Sequence, residues 1–334
     1  MTSIIAGIGL LLTPALLVLL SLTLLYQWIC RKYIWVLLRI FQEKPLFVIP
    51  RGQRPDDAED LRIPTSDGLT LAACYMRTSA PRRKGVIFFG LEFGANRWSC
   101  VPYCEHLLAA GYDIFTYEPR NQGESDVQPE YDPLQWVTNR DVADCKAALK
   151  YLKSRPDASS KGLGFFGVSK GGSAGIAVAA EDPAIRCVVT DGAFATYSVM
   201  VPYMRHWFSI YDKNYILHGL VRPWYYGLVA QRGMRMVAQE RNVRYVNLER
   251  AIHRLAPRPF FMIHGEKDSY IKPSMARVLF ERAGEPKEFW QVPGAKHNQA
   301  IEVAPEEYRR RVLEFFEAYL GSGVNQPSLS MVTT

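Results

Sequence analysis

A mainly parallel β-sheet with helices on both faces is the fold the sequence predicts for residues 62–320. Three observations carry that reading. Strand-like and helix-like segments alternate from Arg62 onwards, the pattern that builds parallel sheets. The strand candidates GVIFFG (85–90), GLGFFGV (162–168) and PRPFFMIHG (257–265) are short, continuous apolar runs, suited to strands buried on both faces. The helical segments between them keep apolar residues at helical spacing and stop at glycine or proline.

Ahead of this domain, residues 4–29 carry no charge and are almost wholly aliphatic. A helix of that length rises roughly 39 Å, enough for a tilted crossing of a ~30 Å hydrocarbon core. Pro14 is tolerated in a membrane helix. A cleaved signal peptide needs a basic start and a small-residue cleavage site, and MTS and YQWIC supply neither. Residues 1–30 are therefore predicted to be a single-pass anchor. Arg31, Lys32, Arg39 and Lys44 follow it, which by the positive-inside rule places the C-terminal bulk in the cytoplasm. Residues 31–61 read as a basic, aromatic connector able to lie against anionic headgroups through Tyr33, Trp35 and Phe41.

The domain opens with RIPTSDGLTLAACYMR (62–77), two strands turning at Asp67 and Gly68. GVIFFG is the next strand, a helix over 101–110 ends at Gly111, and YDIFTYE (112–118) is a further strand. Val142, Cys145, Ala148, Leu149 and Leu152 mark a helix over 141–153, with Pro156 beyond its end. Strands GLGFFGV, IRCVVTD (185–191), PRPFFMIHG and EFWQVPG (288–294) follow, and an amphipathic helix over 306–320 closes the domain. The small, polar tail 321–334 is expected to be disordered.

Residues 197–257 interrupt this series with a dense aromatic set and are predicted to form a helical cap above the C-terminal strand edges, where open α/β sheets bind ligands. Tyr197, Tyr203 and Trp207 are candidate substrate-binding residues there; the other reading is that such aromatics form the cap's own core.

A chain of 334 residues, 48% hydrophobic and 22% charged, has ample material for a folded core. Its net charge of +7 suits an anionic membrane surface, and no nucleic-acid partner is called for. The six cysteines show neither paired CxxC motifs nor zinc spacing, so they read as small buried hydrophobes in a reducing compartment, with no metal or cofactor implied.

Within GFFGVSKGGSAG (164–175), Ser169 sits between a strand and a glycine-rich helix, with Gly167 and Gly171 two residues to either side. A sharp strand-to-helix turn forces the serine into a strained conformation, and flanking glycines remove side chains that would clash. A hydroxyl becomes a useful nucleophile only beside a base that an acid orients. Asp268 and His297 each lie just past an apolar strand, in the order Ser, Asp, His expected when all three occupy loops at one sheet edge. Asp191, ending IRCVVTD, is the rival acid, and His264 is expected to make a structural hydrogen bond. The backbone N–H of Lys170 would be one oxyanion donor, with the second from the loop GLEFGANRW (90–98).

The segments SDGLTLAACY, GLEFGANRW, YEPRNQGES, GVSKGG, HGEKD and VPGAKH make the chain resemble the α/β-hydrolase fold superfamily over roughly residues 62–320. Within it the chain is most similar to serine aminopeptidase-like and acylaminoacyl-peptidase-like hydrolases, and GFFGVSKGGS is also similar to the serine motif of acyl-CoA thioesterases. The resemblance implies Ser169 as nucleophile, Asp268 as acid and His297 as base. It points to Phe93, or else Leu91, as the second oxyanion donor, with Glu92 expected to turn away towards Arg97. The implied function is a membrane-anchored serine hydrolase of esters or thioesters, on a small-molecule or lipid-like acyl substrate. The alternatives are a peptidase using the same three residues and a non-catalytic, membrane-tethered binding protein.

Overall fold

In the computed structural model, which describes residues 2–44, 49, 52–157, 162–202 and 223–321, the described residues divide into two compact units. The larger, within 44–199 and 241–334, holds an eight-stranded sheet. Its strands are β1 (Glu59–Pro64), β2 (Thr70–Met76), β3 (Gly85–Gly90), β4 (Tyr112–Tyr117), β5 (Leu163–Val168), β6 (Ile185–Asp191), β7 (Phe260–Gly265) and β8 (Lys287–Val292). They run in the order β1-β2-β4-β3-β5-β6-β7-β8. β2 is antiparallel to both its neighbours, and every pairing from β4 to β8 is parallel.

The core lies on both faces of this sheet because neighbouring residues of each central strand point to opposite sides. Phe88, Phe115 and Phe165 pack on one face, and Phe89, Phe166 and Tyr103 on the other. Phe88 meets Phe165 edge to face at 5.3 Å, and Phe89 meets Phe166 at 5.1 Å. Each fully buried phenylalanine contributes roughly 1.5–3 kcal/mol of hydrophobic stabilisation. Helices α2 (Val101–Ala109), α3 (Asn139–Ser154) and α4 (Ser169–Ala179) follow β3, β4 and β5. α3 starts two residues before the predicted helix because Thr138 caps it in a reciprocal box with Asp141.

Parallel register carries the chemistry to one edge. Gly90 pairs with Gly167, Val168 with Asp191, Asp191 with Ile263, and Gly265 with Val292. The segments that begin at Leu91, Ser169, Gly192, Glu266 and Pro293 therefore all leave the sheet at its C-terminal end.

Two buried arginines bind the neighbouring loops together. Arg120, 2% exposed, donates from Nε and Nη2 to Asp144, whose side chain is fully buried, and from Nη1 to Asp67. Arg97 pairs with Glu118, Glu124 and Asp60. Arg120→Ala strands the Asp144 carboxylate without its counter-charge and is expected to lower unfolding free energy by about 3–5 kcal/mol. Chemical denaturation of the two proteins checks this.

The smaller unit, within 1–43 and 200–240, pairs α1 (Thr2–Gln42) with α5 (Pro223–Glu240). The Arg232 guanidinium lies 5.7 Å from the Tyr26 ring, and Gln42 Nε2 donates to Glu240. Cys30 and Phe41 are buried, while Leu16 to Leu20 and Leu24 are exposed. α1 runs without a break through residues 31–42, read from sequence as connector. Thr13–Lys32 has the length and mean hydropathy, 1.7, to cross a membrane. Residues 241–257, read as part of the insertion, belong instead to the larger unit: Arg244 and Val246 bond to the strand-like edge at Val137 and Asn139. The tail 322–334 lies outside the described residues.

Candidate active site

Ser169 follows β5 directly and takes a left-handed backbone conformation, φ +50°, uncommon for a residue with a β-carbon. The flanking glycines make that turn possible. A β-carbon on Gly167 would lie 2.7 Å from the Gly172 Cα, and one on Gly171 only 2.2 Å from the Leu91 carbonyl oxygen. The second glycine thus lets the loop after β3 reach the serine. Ser173 holds the same turn from inside α4: its hydroxyl donates to the carbonyls of Ser169 and Phe194 and accepts from the Phe194 N–H.

The three residues singled out in the sequence come together in a line. Ser169 Oγ is 2.9 Å from His297 Nε2, and His297 Nδ1 is 2.6 Å from Asp268 Oδ2. Asp268 Oδ1 accepts from the N–H groups of Tyr270 and Ile271 at 2.9 and 2.8 Å, which turns Oδ2 towards the imidazole. The Tyr270 ring stands edge-on to His297 at 5.4 Å. With Asp268 accepting from Nδ1–H, Nε2 carries the lone pair and can accept the Ser169 proton. His264 makes a structural hydrogen bond, as expected, donating from Nε2 to the Ile271 carbonyl at 2.7 Å with the same nitrogen 3.4 Å from Asp268 Oδ2, and burial holds its pKa down.

Asp191, the rival acid, is fully buried and accepts from the Tyr308 hydroxyl at 3.0 Å. Burial pushes its carboxyl up to about 7. A folded-state pKa above the unfolded value stabilises the fold below the unfolded pKa, and that stability is lost as pH rises from about 4 through about 7. Asp191→Asn is accordingly expected to leave the melting temperature nearly unchanged at about pH 4 and to raise it at about pH 8, as calorimetry at the two pH values would read.

Lys170 occupies the second position of α4, where backbone N–H groups have no partner within the helix. Its side chain, expected only to follow the nucleophile, is buried. Nζ pairs with Asp141 at 2.8 Å, donates to the Leu134 carbonyl at 2.6 Å and lies 5.5 Å from the Phe93 ring. Phe93 is half-buried and Leu91 is buried in the core beside Ile87 and Phe89. The loop itself is pinned from the segment after β4: Gly94 N–H donates to Gln122 at 2.7 Å and Arg97 N–H to Glu118 at 2.9 Å.

Glu92 does not turn to Arg97. Arg97 is already occupied by Glu118, Glu124 and Asp60, and Glu92 is buried against Asn298, whose Nδ2 donates to it. Adjacent charge in the sequence suggested a pair, whereas the Asn298 contact spans 206 positions and has no local signal. Tyr197 is half-buried in a helical segment over 196–202, and Tyr203 and Trp207 lie outside the described residues. Among the described residues no group of three or more His, Cys, Asp or Glu side chains is placed to hold a metal.

The sequence model of the prolyl oligopeptidase family matches residues 135–323, more than half of the chain. The chain belongs to the prolyl oligopeptidase family. It has the α/β-hydrolase fold and is a hydrolase of that class. The chain is also 23% identical over 286 residues to the uncharacterised protein YfhR of Salmonella typhi, covering 81% of this chain and 85% of that protein. It is 30% identical over 135 residues to the acyltransferase drtE of Aspergillus calidoustus, covering 40% of this chain and 42% of drtE. Among solved structures, the Pyrococcus furiosus esterase Pf2001 superimposes with a TM-score of 0.60 at 22% identity, covering 84% of this chain and all of that one. Ser169, Asp268 and His297 all fall within the span matched to the prolyl oligopeptidase family, and the loop 90–98 precedes it.

Proposed function

We propose that this member of the prolyl oligopeptidase family is a membrane-anchored serine hydrolase of carboxylic esters or thioesters. The observation that carries the proposal is the relay from Ser169 Oγ through His297 to Asp268, at 2.9 and 2.6 Å, on a strained turn at the sheet edge. His297 takes the Ser169 proton as Oγ attacks the acyl carbonyl, and Asp268 stabilises the imidazolium that forms. The N–H of Lys170 and that of Phe93, or else of Leu91, receive the developing oxyanion. His297 then returns its proton to the leaving alcohol or thiol, and water releases the acyl-enzyme by the same route.

Release of an amino-terminal residue is the alternative: it needs a carboxylate to hold the substrate ammonium, and Glu249 keeps Oε2 buried without a hydrogen-bond partner among the described residues while Oε1 accepts from Ser198. The acyl transfer named for drtE fits the same acyl-enzyme step.

Anchoring rests on α1. Its exposed leucines face outwards, and Ser21 and Thr23 turn their hydroxyls back onto the Leu17 and Leu19 carbonyls, which satisfies them without water. With Arg31, Lys32 and Arg39 following, the hydrolase unit lies on the cytoplasmic side and the basic residues meet anionic headgroups. A lipid-like acyl substrate follows from that location.

The full-length protein in liposomes is to be assayed on p-nitrophenyl esters of increasing chain length, on acyl thioesters and on aminoacyl naphthylamides. Hydrolysis of the esters or thioesters, rising with chain length, is the expected result. A preference for the naphthylamides would establish the peptidase instead, and release of the protein from membranes by alkaline carbonate would remove the anchor from the account.

A further inference from the structure

One buried bond joins the loop that carries Phe93 to the loop that carries His297. Glu92, 2% exposed, accepts from Asn298 Nδ2, and Asn298, 4% exposed, directly follows His297. Asn298 holds φ at +58°, a region that asparagine tolerates better than most residues. Its carbonyl accepts from the Tyr103 hydroxyl at 3.4 Å, and its Oδ1 would lie 2.7 Å from a β-carbon on Gly192. The residue after His297 is thus held from α2 and from Glu92, and it packs closely against Gly192.

The groups facing the Glu92 carboxyl are Asn298 and His297 on the histidine loop, Asp191 at the end of β6, and Glu302 in the short helical turn Ala300–Val303; Tyr103 approaches from α2. Burial pushes Glu92 up to about 7, against the opposing pull of Asn298 and His297. A carboxyl kept in such a place is costly if packing is its only role, since an apolar side chain would fill the volume without the desolvation penalty.

We propose that Glu92 is a positioning residue: its bond to Asn298 fixes the His297 loop against the oxyanion loop. The proposal rests on the reading of Ser169, His297 and Asp268 as the reacting set.

The test uses the full-length protein with p-nitrophenyl butyrate, kcat and KM being read separately, on wild type, Glu92→Gln, Glu92→Ala, Asn298→Asp and the double swap Glu92→Gln/Asn298→Asp. Glu92→Gln keeps an acceptor for Asn298 and is expected to hold kcat within about threefold of wild type. Glu92→Ala loses the acceptor and is expected to lower kcat by about ten- to a hundredfold with KM little changed. Asn298→Asp sets two carboxyls against each other and lowers kcat similarly, while the double swap restores a donor and an acceptor with sides exchanged and recovers about tenfold. Should Glu92→Ala fail to fold, Glu92→Gln and the double swap decide the matter. An active wild type whose double swap recovers nothing over Asn298→Asp overturns the brace alone. A folded wild type with no hydrolysis and no adduct at Ser169 overturns the triad reading and the brace with it.

Discussion

Replacing Ser169 with alanine is expected to lower kcat for an activated ester by about 10⁶-fold, to a residue of activity from the oxyanion donors and binding alone. The size of the effect follows from the geometry. Ser169 Oγ is the atom aligned on His297 Nε2, and its left-handed turn aims it at the sheet edge. Ser173 cannot substitute, because its hydroxyl is committed within the turn to Ser169, Phe194 and the Phe194 N–H. The fold should survive the change, since the loss is one hydroxyl whose partner remains otherwise bonded to Asp268. Single-turnover and steady-state rates on p-nitrophenyl butyrate, with melting curves alongside, check both halves of this expectation.

Asp268→Asn is expected to cost about 10⁴-fold in kcat while altering the backbone little. The carboxylate receives three donors: the N–H groups of Tyr270 and Ile271 on Oδ1 and His297 Nδ1 on Oδ2. An amide has a single oxygen, and the two backbone donors would hold it. Its NH₂ would then face His297 and accept no proton from Nδ1, which selects the tautomer with the proton on Nε2. That imidazole can no longer accept the proton of Ser169. The loss should fall on kcat far more than on KM, and it should be largest near neutral pH, where the base form is needed. A comparable loss in KM would mean that Asp268 serves substrate binding instead.

The strands were legible because the sheet asks for one kind of segment. GVIFFG, GLGFFGV and FFMIHG are apolar at successive positions, and only a strand covered on both faces has use for that pattern. The order of Ser169, Asp268 and His297 was legible for a related reason, since each follows a strand and parallel register delivers all three to one edge. What local pattern cannot carry is contact between distant loops. Glu92 stands five residues from Arg97, yet it bonds Asn298 across the sheet edge. Nothing next to Lys170 in the sequence places its side chain, which is drawn inwards by Asp141 and the Leu134 carbonyl. The continuation of α1 through Gln42 is a third case, because basic and aromatic residues suit an interfacial helix and an irregular connector equally well. The burial of Glu92 and Lys170 came from partners far along the chain, and no periodicity announces those.

The central claim is that Ser169 becomes acylated through His297. Incubating the full-length protein with a fluorophosphonate and mapping the adduct by peptide mass spectrometry tests it most directly. The expected result is one adduct, on Ser169, formed at least about 10³-fold more slowly in His297→Ala. An unmodified, properly folded wild type, or an adduct on a different residue, would contradict it.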